Sequence, residues 1–191
     1  MKTTKKYITA FVTTSTLLAS TICAPALAGT ASTNLTVSAT VAANCSITTT
    51  PVAFGSYDPV TANATADLLS TGTVAVACTK NTPTTNLYIA LGQGTHFSSN
   101  RRMQAAVNTT DFLNYELYQP PNNAPGTACP SSAGSVIWGN GPGTGAYGTR
   151  LALTSPTSKA ARIYNVCGIV TAGQDVSVDS YNDTVQATIN F

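Results

Sequence analysis

Apolar and polar residues alternate strictly over residues 34–42, with Leu35, Val37, Ala39 and Val41 on one face and Thr36, Ser38 and Thr40 on the other. A period of two is the pattern of a β-strand with one buried face. Shorter runs of the same kind recur down the chain, separated by Gly, Pro, Asn and Asp. They predict strands over 45–49, 52–55, 72–79, 87–91, 101–107, 112–118, 135–138, 151–154, 161–170 and 183–191. Between them lie a turn at 56–59, a proline-rich loop over 119–134 and a glycine-rich turn over 139–148. Nothing after residue 28 has a helical period. Many short strands at this spacing predict one all-β sandwich domain, long enough to bury its own core.

The two ends of this pattern mirror one another. Val185, Ala187, Ile189 and Phe191 alternate with Thr184, Gln186, Thr188 and Asn190, and the sequence stops on the aromatic. The strand at 34–42 lies outside the segment bracketed by cysteines. A clean apolar face at that place needs a groove, and alternation alone leaves open whether the groove belongs to the same chain or to a neighbour.

Residues 1–28 read as a secretory signal: Lys2, Lys5 and Lys6, then an apolar, Thr/Ser-rich stretch, then Ala26-Leu27-Ala28 as an A-x-A cleavage site. Ile22 sits where a lipoprotein signal ending at Cys23 would want a small residue. No later apolar run approaches the roughly 20 residues that span a bilayer, so no stable membrane insertion is expected. Beyond the signal, six basic side chains (Lys80, Arg101, Arg102, Arg150, Lys159, Arg162) face seven acids (Asp58, Asp67, Asp111, Glu116, Asp175, Asp179, Asp183). The net positive charge of the whole sequence therefore belongs to its leader, and no footprint for nucleic acid remains.

Four cysteines remain after Cys23: Cys45, Cys78, Cys129 and Cys167. An even number in an exported chain implies two disulfides, with three connectivities open. Cys45 shares parity with Ile47, and Cys78 with Val74 and Val76, which favours Cys45–Cys78 and leaves Cys129–Cys167. Zinc is poorly served, since there is no C-x-x-C pair and His96 is the single histidine. No metal or other cofactor is expected.

Catalytic readings fare badly too. His96 lies in a turn-like segment with no G-x-S-x-G elbow anywhere to accompany it. Asp111 and Glu116 are an odd number of residues apart in a strand-like segment, so they point to opposite faces and make a poor acid/base pair. The glycines of 139–145 lack the Lys-Ser/Thr ending of a phosphate loop. Arg101-Arg102 reads as a solvated strand start. Trp138, Tyr115 and Tyr118 read as core or edge packing in preference to a sugar-binding shelf.

Several stretches in order resemble the spore coat protein U domain family, which includes the pilus subunits of archaic (Csu-type) chaperone–usher systems. They are Asn44-Cys-Ser-Ile47, Pro51-Val-Ala-Phe-Gly-Ser-Tyr-Asp-Pro59, Thr71-Gly-Thr-Val-Ala-Val-Ala-Cys78, Leu113-Asn-Tyr-Glu-Leu-Tyr118, Val136-Ile-Trp-Gly-Asn-Gly141 and the end from Tyr181 to Phe191. The resemblance implies an immunoglobulin-like pilin sandwich that is incomplete, missing its last strand. It implies completion by donor-strand complementation, first from a periplasmic chaperone and then, at an outer-membrane usher, from the next subunit. On this reading residues 29–43 are a donor-strand extension, with Leu35, Val37, Ala39 and Val41 as donor side chains, and 44–191 are the pilin domain. Val185, Ala187, Ile189 and Phe191 would border the groove, and Cys45 and Cys78 match the family's cysteine pair. The implied product is a surface fibre built from copies of the chain or related pilins, with a role in adhesion and biofilm formation. A self-complemented coat protein and a carbohydrate-binding module are the alternatives. Cys167 stands before Gly168 where many members carry an aromatic.

Overall fold

The computed structural model describes residues 28–132, 136–142 and 145–191. It divides into two compact units, Met1–Ala39 and Thr40–Phe191. In the first, residues 28–39 are described, exposed and without strand. The predicted signal lies outside the described residues except for Ala28. The strand expected over 34–42 is not formed as a ladder. The reason is physical: an extended segment becomes a strand only when another backbone takes up its N–H and C=O groups.

The second unit is all-β. Its strands are β1 (Cys45–Thr50), β2 (Leu68–Cys78), β3 (Tyr88–Leu91), β4 (Arg101–Ala105), β5 (Phe112–Tyr118), β6 (Leu151–Ala152), β7 (Arg162–Val170), β8 (Tyr181–Asn182) and β9 (Ala187–Asn190). One sheet runs β1-β2-β7-β5-β4-β8 and the other β6-β3-β9, every pairing antiparallel. The alternation read from the sequence sets the inner faces. Val74, Val76 and Cys78 of β2, Ile89 and Leu91 of β3, Leu113, Tyr115 and Leu117 of β5, and Tyr164, Val166 and Val170 of β7 form one buried core. This is an immunoglobulin-like sandwich of two facing sheets.

Three expected strands change. Residues 52–55 join no ladder and instead fold across the inner face of the larger sheet. There Val52 and Phe54 occupy space that only glycine leaves free: a Cβ on Gly168 would lie 2.5 Å from Val52 Cγ1 and 2.8 Å from Phe54 Cζ. Of the expected strand 135–138, residues 136–138 are described, and they carry two isolated bridges, Tyr118 to Ile137 and Trp138 to Thr149. Of the expected strand 183–191 only Ala187–Asn190 forms a ladder, because the chain leaves β8 in one sheet at Asn182 and enters β9 in the other.

Both expected disulfides are present, Cys45–Cys78 and Cys129–Cys167. The first joins directly opposed residues of β1 and β2. The second ties the proline-rich loop to the outer face of β7, where the Gly126 and Asn165 hydrogen bonds to Ile163 and Thr127 carbonyls also hold it. That covering explains why Cys167 and Ile169 are buried although they face away from the core.

Candidate functional site: an open edge of the sandwich

The two long edges of the sandwich differ. On one, residues 136–139 stitch the sheets together. Trp138 N–H donates to the Leu117 carbonyl of β5, Leu91 N–H of β3 donates to the Gly139 carbonyl, and the Trp138 indole N–H reaches the Ile89 carbonyl at 3.1 Å. Trp138 is wholly buried in doing so, which removes it from any sugar-binding shelf. Tyr115 is buried as well.

The opposite edge is unsealed. Among the described residues β1 ends the larger sheet and β9 ends the smaller one, each with one side unpaired, and the two strands face each other. Between them opens a cleft of about 280 Å3. One lip is Thr49 to Val52, the other Asp183 to Val185 with Ala187. Phe54, Val74, Leu91, Met103, Leu117 and Val166 form an apolar floor. An apolar cleft between two unpaired strand edges offers both things an added strand needs: backbone groups to pair with and space for every second side chain.

Along the C-terminal segment the side chains alternate in direction. Val185, Ala187 and Ile189 turn their side chains onto the core and their polar neighbours outward, and Val185 and Ala187 line the cleft. Ile189 pairs with Ile89 in β3, and Phe191, past the end of β9, is half exposed. The candidate donor side chains have no cover: Leu35, Val37 and Val41 are 88%, 86% and 81% exposed, and Ala39 is exposed too.

Sequence reasoning missed Asp183, which it counted as one more acid. Its carboxylate accepts Thr95 N–H at 2.9 Å, Thr95 Oγ1–H at 2.6 Å and Tyr115 O–H at 2.6 Å, and His96 Nδ1 lies 3.2 Å away. Burial pushes this carboxyl's pKa up, but the hydrogen bonds from Thr95, Tyr115 and backbone N–H groups outweigh it and hold the group below the usual range. The same burial and the Asp183 charge push the Tyr115 phenol far up, so it stays a donor. A sequence signal existed only in part: Gly94 (φ +92°) leaves room for Asp183, but nothing links them along the chain.

Arg101, expected as a solvated strand start, is instead wholly buried. Its guanidinium meets Glu116 at 2.6 Å and donates to the Gly92 and Trp138 carbonyls at 2.6 and 2.8 Å. The Tyr147 hydroxyl closes the group on Glu116. Arg102 is stacked on the Phe112 ring at 4.0 Å. Among the described residues no group of three or more His, Cys, Asp or Glu side chains is arranged to hold a metal, and no helix is long and apolar enough to cross a membrane.

The fold and its open edge thus define an immunoglobulin-like sandwich with one unsealed side. Residues 31–188 match the Spore Coat Protein U domain, and the chain belongs to that family. It is 36% identical over 180 residues to Protein U of Myxococcus xanthus, covering 87% of this chain and 88% of that protein. It also aligns with a chain of the CsuC–CsuE chaperone–tip adhesion subunit pre-assembly complex from archaic chaperone-usher Csu pili of Acinetobacter baumannii. That alignment has 23% identity and a TM-score of 0.48, and covers 80% of this chain and 41% of the other.

Proposed function

We propose that the chain is a structural, non-enzymatic subunit of an extracellular fibre, polymerising by donor-strand exchange. The observation that carries this reading is the apolar cleft between the unpaired edges of β1 and the C-terminal segment. An alternating N-terminal segment with an exposed aliphatic face supports it. In the assembled state Leu35, Val37, Ala39 and Val41 of one copy fill the cleft of the next, and the donor backbone pairs with β1 and β9. Donor-strand complementation is a known instance of β-strand addition.

The energetics suit a durable joint. Burying Leu35, Val37 and Val41 contributes about 1.5–3 kcal/mol each, an upper figure because unfolded segments are themselves partly collapsed. Release requires the whole strand to unzip at once, so the joint is kinetically stable. Because donor and acceptor are different surfaces, the product is an open filament. Before assembly the cleft is an aggregation hazard, which calls for a periplasmic chaperone to cover it and an outer-membrane usher to exchange it. Export through the periplasm agrees with two disulfides, and adhesion and biofilm formation are the roles proposed for the fibre.

Val37→Asp tests this. Wild-type chain produced with its chaperone should give SDS-resistant ladders, and the variant should remain a chaperone-bound monomer. Ladders unchanged by the substitution would sink the proposal. A wild-type chain stable as a monomer without any chaperone would favour a self-complemented coat protein.

A further inference from the structure

The residues just before Cys45 are hydrogen-bonded to the sandwich. The β1–β2 pairing continues one step beyond the disulfide: Thr79 N–H donates to the Asn44 carbonyl at 2.8 Å, and Asn44 N–H donates to Thr79 Oγ1 at 3.1 Å. The Thr79 hydroxyl hydrogen has two acceptors in reach, the Asn44 and Ala42 carbonyls, each at 3.3 Å. One side chain, just past β2, therefore reaches the backbone at Asn44 and at Ala42, before Cys45. Cys45 itself is covalently tied to Cys78, the residue before Thr79.

From these contacts we infer that Thr79 is a positioning residue that clamps the root of the donor segment and makes the joint between successive copies stiff. The inference rests on the donor-strand reading above. Val41 is the last aliphatic of the alternating face, and Ala42 is the next residue. If Val41 is seated in one copy while Ala42 is held by Thr79 of its own sandwich, a single Cα–Cα step of about 3.8 Å separates the two bodies. A free linker of several residues would let successive sandwiches swing as a random coil does. One Cα–Cα step between two fixed points does not. The Thr79 hydroxyl accepts from Asn44 N–H and donates to the Asn44 or the Ala42 carbonyl, beside a stretch of exposed, small residues (Ala42, Ala43, Asn44) where no side-chain packing could do the same work.

The variant Thr79→Val keeps the β-branched shape and removes the hydroxyl. A Gly-Gly insertion between Ala42 and Ala43 lengthens the root outright and serves as a loose reference. Fibres of wild type and both variants are imaged by electron microscopy, and ladders are run in SDS. The expected result is ladders of wild-type strength in all three, with the bending persistence length of Thr79→Val fibres falling at least about twofold, towards that of the insertion. A Thr79→Val persistence length equal to wild type, with the insertion shorter, overturns the clamp. Loss of ladders in Thr79→Val alone also overturns it, by placing Thr79 in folding or in the groove. Absence of ladders in the wild type removes the donor-strand reading and the clamp with it.

Discussion

The Tyr115 hydroxyl donates to the Asp183 carboxylate at 2.6 Å, tying the centre of the larger sheet to the corner where the C-terminal segment changes sheets. Asp183 is also a lip residue of the cleft. The groove's C-terminal wall is therefore positioned by a charged, buried hydrogen-bond acceptor as well as by the β3–β9 ladder.

That geometry gives a pH dependence. Asp183 titrates below its ordinary value of 3.8 in the folded chain. A carboxyl depressed in the native state adds stability that is fully present above its unfolded value and is lost as pH falls through the folded one. Asp58, Asp111 and Asp179 are also held low by hydrogen bonds and act in the same direction. Thermal melts of the domain should be flat above roughly pH 5 and fall steeply below it. Asp183→Asn should melt lower at neutral pH and show a shallower acid limb. An acid limb parallel to wild type would show that Asp183 is not among the groups responsible.

How much of this was legible in the sequence follows from which interactions are periodic. Alternation located the faces of β2, β3 and the C-terminal segment, because side-chain direction in a strand is set locally. It could not give the sheet change at Asp183, which depends on Thr95 and Tyr115, remote in sequence. It misplaced residues 52–55 in a ladder, since an apolar alternation looks the same whether its backbone is paired or merely laid across another strand. Arg101 was misread for a related reason: its burial is decided by Glu116, Gly92 and Trp138, on other strands and loops.

Gly168 is the seat for that crossing segment, so Gly168→Ala should act on the cleft through Phe54. The added methyl has Val52 Cγ1 and Phe54 Cζ within 2.8 Å, and neither neighbour is the free end of a long chain. Overpacking of this kind costs about 1–3 kcal/mol. Urea unfolding should show a lower midpoint at unchanged slope. The Phe54 ring, now in edge contact with Tyr115 at 6.2 Å, should shift in NMR spectra. A midpoint equal to wild type would show that residues 52–55 are free to move away.

Arg101→Ala tests the sealed edge. The guanidinium is the common partner of Glu116 and the Gly92 and Trp138 carbonyls, and removing it takes this donor from both carbonyls and the counter-charge from Glu116. Breaking a buried pair from one side costs about 3–5 kcal/mol. Equilibrium unfolding should register a loss of that order. Adding Glu116→Gln should recover part of it, because the unpaired carboxylate is then gone. Additive losses from the two substitutions would mean that the pair is not coupled.

The parity of the N-terminal segment offers the sharpest test of how it is used. In a strand, removing one residue turns everything beyond it to the opposite face. Deleting Ser38 keeps Leu35 and Val37 on one face but puts Thr40 and Ala42 there in place of Ala39 and Val41. Deleting Ser38 and Ala39 together restores the phase and leaves Leu35, Val37 and Val41 aligned. If the segment enters a neighbour's cleft as a strand, the single deletion should abolish SDS-resistant ladders and the double deletion should retain them, although it is the larger lesion. A flexible tether or a non-specific apolar patch predicts the reverse order, with loss scaling with the number of residues removed. Ladder intensity on one gel, with the chaperone-bound monomer as loading reference, separates the two.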